Sequence, residues 1–482
     1  MGFRFQTNPV QRLIHLLRRQ SLPPLVSTTM PPLPNELWWD IIAYAISHRS
    51  DLAIVRPSSE RLYPFFPAGF SSFSDPYFYS TQLAIWRRSN MIALNLMRVN
   101  RLWRGLAEPL LYSALYVEHE WQLQMFINNV EKNSKLAEQL STLVIMPRSF
   151  FKGLPVPSRD RLIKQVLNLC HGVTTLAVES FVSSTVSLFP LPDSSRHLRL
   201  LSALRLRNEE FPTFVVNFNN YATLQVLELS VRGIEGSTLP SLPEHVLFPS
   251  LRTLILGHLD PISMSGVGKW ELPSLKELSI SRWNPLISTA LIPLLQRSYE
   301  RLEFLNANMD LLHDRAFYDI TRAPPPHLRN LTLSIAISGH TSPPMHPAVK
   351  LVFRHVTTLG VSRIGMIRPE NKVEWVRFFS ESSYMPHLRS VLTDATTNLL
   401  DLYLRSDFFL LDILRSIEEV LEDRGVAFKG MTDDYSSFFS IKLLQSSGFE
   451  VSMPVSIISA PCSSPYSSSA AKCPPRKLST CY

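Results

Sequence analysis

The chain has 482 residues, 45% of them hydrophobic and 18% charged, a balance that belongs to folded proteins and excludes a wholly disordered chain. Glycine is scarce, at 16 residues against 37 prolines, which disfavours glycine-rich nucleotide-binding architectures. The net charge of +8 sits at the ends: Arg4, Arg12, Arg18 and Arg19 lie in acid-free residues 1–35, and Lys472, Arg476 and Lys477 in acid-free residues 451–482, leaving 8 − 4 − 3 = +1 between. A nearly neutral body argues against nucleic acid as a partner, since phosphate binding needs a basic stripe.

No apolar run nears the ~18 residues of a membrane span, so the expectation is a soluble chain, cytoplasmic and/or nuclear, with no membrane partner. Four cysteines fit a reducing compartment, and with no CxxC pair neither a zinc site nor a redox pair is signalled. Cys170, after the apolar run Leu162–Leu169, reads as a small buried side chain.

In chain order, residues 1–30 read as a disordered basic leader. Their arginines, with apolar residues at Leu13, Leu16 and Leu17, also permit a mitochondrial presequence. Residues 31–116 form a helical block with an insert near 49–90. Its first helix is LPNELWWDIIAYAIS, where Pro34 suits the first turn and Glu36 complements the positive helix end. Leu37, Ile41 and Ala45 with Trp38 and Ile42 make it apolar over more than one face. The second is IALNLMRVNRLWRGLAEPLLY, with Ile92, Leu96, Val99, Trp103, Leu106 and Leu110 at helical steps and a break expected at Pro109.

Residues 117–430 read as one solenoid, in which the unit LxxLxL recurs from about 117 to 394 and a helical stretch follows to about 430. The units are Leu140-Leu143-Ile145, Val173-Leu176-Val178, Leu201-Leu204-Leu206, Leu224-Leu227-Leu229, Leu251-Leu254-Leu256, Leu275-Leu278-Ile280, Leu302-Leu305-Ala307, Leu328-Leu331-Leu333, Val356-Leu359-Val361 and Leu388-Val391-Thr393. From Leu201 to Leu328 the starts are 23, 27, 24, 27 and 26 residues apart, within the ~20–29 of leucine-rich repeats. Proline stands two residues ahead of the first leucine at Pro249, Pro273, Pro326 and Pro386, a place it tolerates before a strand. Arg161–Leu169, Ile287–Tyr299 and Val373–Phe379 have helical spacing. The asparagine of the strict repeat is replaced by Arg232, Leu259, Trp283, Asp310 and Ala336 in five units. The expected fold is α/β: a leucine-rich-repeat-like solenoid with a parallel concave sheet and a C-terminal helical cap. Residues 431–482 read as a mostly disordered tail.

LPxEL at Leu33–Leu37 and VNRLWR at Val99–Arg104, followed by AEPLLY, resemble an F-box of the divergent type found in large fungal families. The resemblance covers two short blocks ahead of degenerate leucine-rich repeats. It implies that the helical block binds the Skp-type adaptor of a Skp–cullin–F-box ubiquitin ligase, through Leu33, Pro34, Leu37, Ile41, Leu94, Val99 and Trp103, while the repeats hold a target protein. The alternative is a ligase-independent binding or scaffold protein, its helices capping the solenoid.

In a period-two strand the positions between the leucines face away from the core. Arg205, Arg207, Glu228, Glu277, Asn306 and Asn308 around Phe304 are therefore the candidate substrate-binding patch. Catalytic motifs fail: in Gly266-Val267-Gly268-Lys269, Ser263 stands where a phosphate loop needs its first glycine and Trp270 where it needs Ser or Thr. GxSxG, HExxH and GxGxxG strings do not occur, so no enzyme activity, catalytic residue, metal or cofactor is expected.

Overall fold

A computed structural model describes residues 86–430, apart from connecting segments (146–155, 179–190, 208–210, 233–245, 258–260, 281–284, 318–324, 336–341, 344–348 and 394–407) and some shorter gaps. The leader, the first expected helix, most of the insert and the tail lie outside the described residues.

Among the described residues the fold is α/β, with twelve strands in one parallel sheet whose order is the chain order. The strands are β1 Ala114–Val117, β2 Thr142–Ile145, β3 Thr175–Val178, β4 Leu200–Arg207, β5 Val226–Arg232 and β6 Thr253–Leu256, then β7 Glu277–Ile280, β8 Phe304–Asn308, β9 Asn330–Ser334, β10 Thr358–Ser362, β11 Ser390–Thr393 and β12 Ala427–Gly430. Each pairs only with its sequence neighbours, the outcome of stacking one supersecondary unit on the next.

Helices fill the returns. They are α1 Arg101–Ser113, α2 Glu120–Lys132, α3 Lys135–Gln139, α4 Val156–Leu169, α5 Phe211–Phe218 and α6 Pro261–Gly268, followed by α7 Pro285–Ser298, α8 Met309–His313, α9 Val349–Phe353, α10 Lys372–Ser380 and α11 Phe408–Asp423. The three runs with helical spacing fall in α4, in α7 with its continuing 3-10 turn, and in α10. None of the described helices is long and apolar enough to cross a membrane.

The repeat leucines make the core. Middle residues align strand by strand, as in Leu227↔Leu254, Leu254↔Leu278 and Leu278↔Leu305, and the first leucines Leu224, Leu251, Leu275, Leu302 and Leu328 join them in one cluster. Burying each contributes about 1.5–3 kcal/mol. Cys170 lies in this cluster, and burial pushes its thiol up to about 12.

Three sequence expectations are corrected. The β4 unit starts at Leu198, since Leu201 and not Leu204 pairs with Leu227; Leu224 then follows Leu198 by 26 residues. The run LRLLSALRLR offers leucines in two registers, and a bulge between Leu201 and Leu204 reconciles them. The repeat also extends further at both ends. The end of the helical block supplies β1, where Leu115 pairs with Leu143, and α11 is followed by β12 rather than forming a terminal cap. Gly425 makes that last turn, at φ 68°, a conformation that favours a residue without a Cβ. Finally, α1 runs through Pro109 to Ser113 instead of breaking there.

A backbone ladder runs along the strand-start edge. The residue just before each of β2 to β10 offers its carbonyl to two N–H groups of the next unit, as in Gln225 O to Arg252 and Thr253, Arg252 O to Lys276 and Glu277, Lys276 O to Glu303 and Phe304, and Glu303 O to Arg329 and Asn330; Arg389 O, before β11, accepts from Ala427. Such residues are held one strand spacing apart, about 4.8 Å.

Candidate functional site

Ahead of the sheet, a helical stretch over residues 90–97 turns into α1. Asn100 caps α1, its side-chain oxygen accepting from Trp103 N at 2.8 Å, the role short amide side chains play at helix starts. Ala93 and Ala107 are the fully buried centre of this hairpin, small enough to let the helices approach, and Ile92, Leu96, Met97, Trp103, Leu106 and Leu110 pack around them. Ahead of the hairpin, Trp86 donates through Nε1 to Ala114 O at 3.1 Å and sets its ring 5.3 Å from Tyr116, joining the block to β1.

Among the described residues, four large apolar side chains of the hairpin stand exposed, interspersed with exposed Asn95, Arg98, Arg101 and Arg104. Met91 and Val99 are each 58% exposed, Leu102 43% and Leu94 41%, although each is a residue type that normally seeks burial. Of the adaptor-facing residues implied by the resemblance, Leu94 and Val99 are thus exposed together, whereas Trp103 is half-buried within the hairpin. Leu33, Pro34, Leu37 and Ile41 lie outside the described residues. Met91 and Leu102 were missed by sequence reading, although helical spacing from Leu94 and Val99 marks them.

The proposed substrate patch has a different character. Glu228, Glu277, Phe304 and Asn306 alternate with core leucines and lie outside the leucine cluster, on the opposite face of the sheet as expected. They are not open to solvent: Glu228 is 5% exposed, Glu277 6%, Phe304 4%, Asn306 1% and Asn308 8%. A parallel sheet is commonly buried on both faces, and neighbouring strands here cover one another's polar groups. Ser202 hydrogen-bonds the Glu228 carboxylate, Thr253 Oγ1 donates to Glu277 Oε2 at 2.9 Å, and Asn306 Nδ2 donates to Ser279 Oγ at 2.8 Å. Asn306 Oδ1 and Thr332 Oγ1, on in-register residues, have no hydrogen-bond partner among the described residues.

Asn308 works locally: its Oδ1 accepts from Asp310 N at 3.1 Å and caps α8, taking the chain out of β8 where the strict repeat would place its asparagine later. Arg205 and Arg207 lie beyond the β4 bulge, in register with Ser230 and Arg232 of β5. The expectation of an exposed mixed-charge patch around Phe304 is therefore corrected: at Glu228, Glu277, Phe304, Asn306 and Asn308 the face is a packed, largely polar layer. At the start of the sheet the same face is apolar, with Tyr116, Val144, Ala177 and Leu200 clustered under Trp86.

No protein-family model and no curated protein matches this chain. Among the described residues no group of three or more His, Cys, Asp or Glu is placed to hold a metal ion.

Proposed function

We propose that this chain is a substrate-recognition adaptor of a Skp–cullin–F-box type ubiquitin ligase, its helical block docking on the Skp-type adaptor and its stacked array, read as a leucine-rich-repeat-like solenoid, holding a target protein. The observation that supports the docking role is the exposure of Met91, Leu94, Val99 and Leu102 beside the VNRLWR motif, on a hairpin whose other side is already packed. Each is roughly half exposed, so covering all four contributes about half of ~1.5–3 kcal/mol apiece, or ~3–6 kcal/mol together, which offsets part of the cost of association. In such a ligase the transfer chemistry belongs to other subunits, and this chain contributes proximity and orientation.

Affinity purification of the full-length chain tests the proposal. A Skp-type adaptor and a cullin should copurify, and Leu94→Asp with Val99→Asp should release both while far-UV circular dichroism stays unchanged, because neither side chain fills the core. Undiminished adaptor binding by the double variant overturns the assigned surface. If the unaltered chain brings down neither subunit, the ligase-independent scaffold reading replaces this one.

A further inference from the structure

The backbone ladder at the strand-start edge sorts side chains as well as hydrogen bonds. Reading its row from β4 to β11, the residues are Arg199, Gln225, Arg252, Lys276, Glu303, Arg329, Thr357 and Arg389. Five of the eight are cations, and all five are exposed. Net charge does not reveal this, because a sum over the chain averages across faces and only the topology brings residues about 25 apart in sequence into one line. Among the described residues no salt bridge engages Arg199, Arg252, Arg329 or Arg389. The row's one acid, Glu303, pairs with Lys276 at 2.6 Å.

The positions immediately before the first leucines lie alongside and include His327, His355 and His387. Arg329 Nη1 reaches His355 O at 3.4 Å, and burial together with Arg329, Arg354 and His387 holds the His355 imidazole below its usual range, so these groups sense one another's charge.

We infer that this strand-start edge is a binding rail for an extended acidic peptide segment of a partner protein. Seven strand steps of about 4.8 Å make the row roughly 34 Å long, which about ten residues of extended chain span. Two strand steps, about 10 Å, correspond to three residues of such a chain and three steps, about 14 Å, to four, so carboxylates spaced three, four and three positions apart meet Arg199, Arg252, Arg329 and Arg389 in turn. Arginine suits the task because its planar fork pairs with a carboxylate through two parallel hydrogen bonds.

Nucleic acid fits less well. A duplex carries one charge per ~1.7 Å of axis, far denser than this row, and continuous phosphates cannot avoid the Glu303 carboxylate, where a peptide can place a neutral or basic residue. Single strands favour stacking on exposed aromatics, and among the described residues the one large exposed aromatic is Trp121, on α2. The inference stands apart from the ligase reading, since nothing in the rail involves the helical block.

The test is fluorescence anisotropy of a labelled ten-residue polyglutamate peptide against the full-length chain at low salt, with polyglutamine as the uncharged control. Arg252→Glu with Arg329→Glu should weaken binding at least tenfold with an unchanged circular dichroism spectrum. Glu303→Gln removes the row's one acid and frees Lys276, so it should tighten binding severalfold, a gain that no folding defect produces. Unchanged affinity in the reversal variant locates the peptide elsewhere, such as the basic termini, and overturns the inference. It is equally overturned if Glu303→Gln gives no gain, or if a 20-nucleotide single-stranded DNA binds more tightly than the peptide through the same arginines.

Discussion

Gly268 and Gly105, both in helices, should respond in opposite directions to the same added methyl group. At Gly268, the last residue of α6, a Cβ would lie 2.0 Å from the Ala290 carbonyl oxygen on α7. Ordinary contact begins near ~3.4 Å, so α6 and α7 must separate by more than an ångström. Overpacking of this kind costs about 1–3 kcal/mol. The Arg297 guanidinium also donates to the Gly268 carbonyl and, at 3.1 Å, to the Trp270 carbonyl; disturbing those charged hydrogen bonds adds about 1.5–3 kcal/mol. Against this stands a helix-propensity gain of about 0.5–1 kcal/mol. Gly268→Ala should therefore destabilise locally by about 1.5–5.5 kcal/mol. At Gly105, inside α1, the same Cβ meets nothing within 4 Å, so Gly105→Ala should stabilise by about 0.5–1 kcal/mol. Stacked units unfold piecewise, so the assay is peptide-resolved hydrogen exchange rather than one melting temperature. Protection in α6 and α7 should fall roughly tenfold or more, and in α1 rise about two- to fivefold. Equal signs at the two sites, or increased protection in α6, would refute the close-approach argument.

Removing a cation beside His355 should move its titration. Burial, Arg329, Arg354 and His387, in that order, hold its imidazole below the usual value, so between that lowered value and about 6.5 the unfolded chain binds a proton the folded one does not. The group's contribution to stability is present above that window and is lost as pH falls through it. Arg329→Ala should raise the His355 value towards 6.5 in an NMR titration; no upward movement disproves the coupling. Cys170, with its thiol near 12, should hold only ~10⁻⁴ thiolate at pH 8. Peptide mapping should find it unalkylated in the native protein and alkylated in denaturant; rapid native labelling would contradict its burial.

The sheet was legible where chemistry repeats locally. Leu251-Leu254-Leu256 and its relatives declare both strand and buried face, because apolar spacing alone decides them. The phase of β4 was not, since leucines at 198, 200, 201, 204 and 206 satisfy two registers and only pairing with β5 selects one. β12 escaped notice because Gly425 and Gly430 occupy positions where other units carry leucine or another larger side chain. The role of Glu228 and Glu277 was misjudged for a different reason. A carboxylate bound by the hydroxyl of a neighbouring strand looks, in sequence, the same as one bound by water. The cationic row was invisible for the converse reason, its members being separated by whole units of chain and adjacent in space.

The bulge in β4 acts as a parity switch. Two residues, Ser202 and Ala203, stand opposite the single Glu228, so the alternation that put Leu201 in the core resumes with Leu204 aligned to Leu229, and Leu206 inside as well. Paired to β5 without the bulge, the same residues would slip by one position, Leu204 aligning with Ser230 and Leu206 with Arg232. Deleting Ser202 or Ala203 would therefore remove the bulge and leave Leu204 and Leu206 in their present register with Leu229 and Val231, whereas the same deletion within an unbulged strand shifts every position beyond it by one.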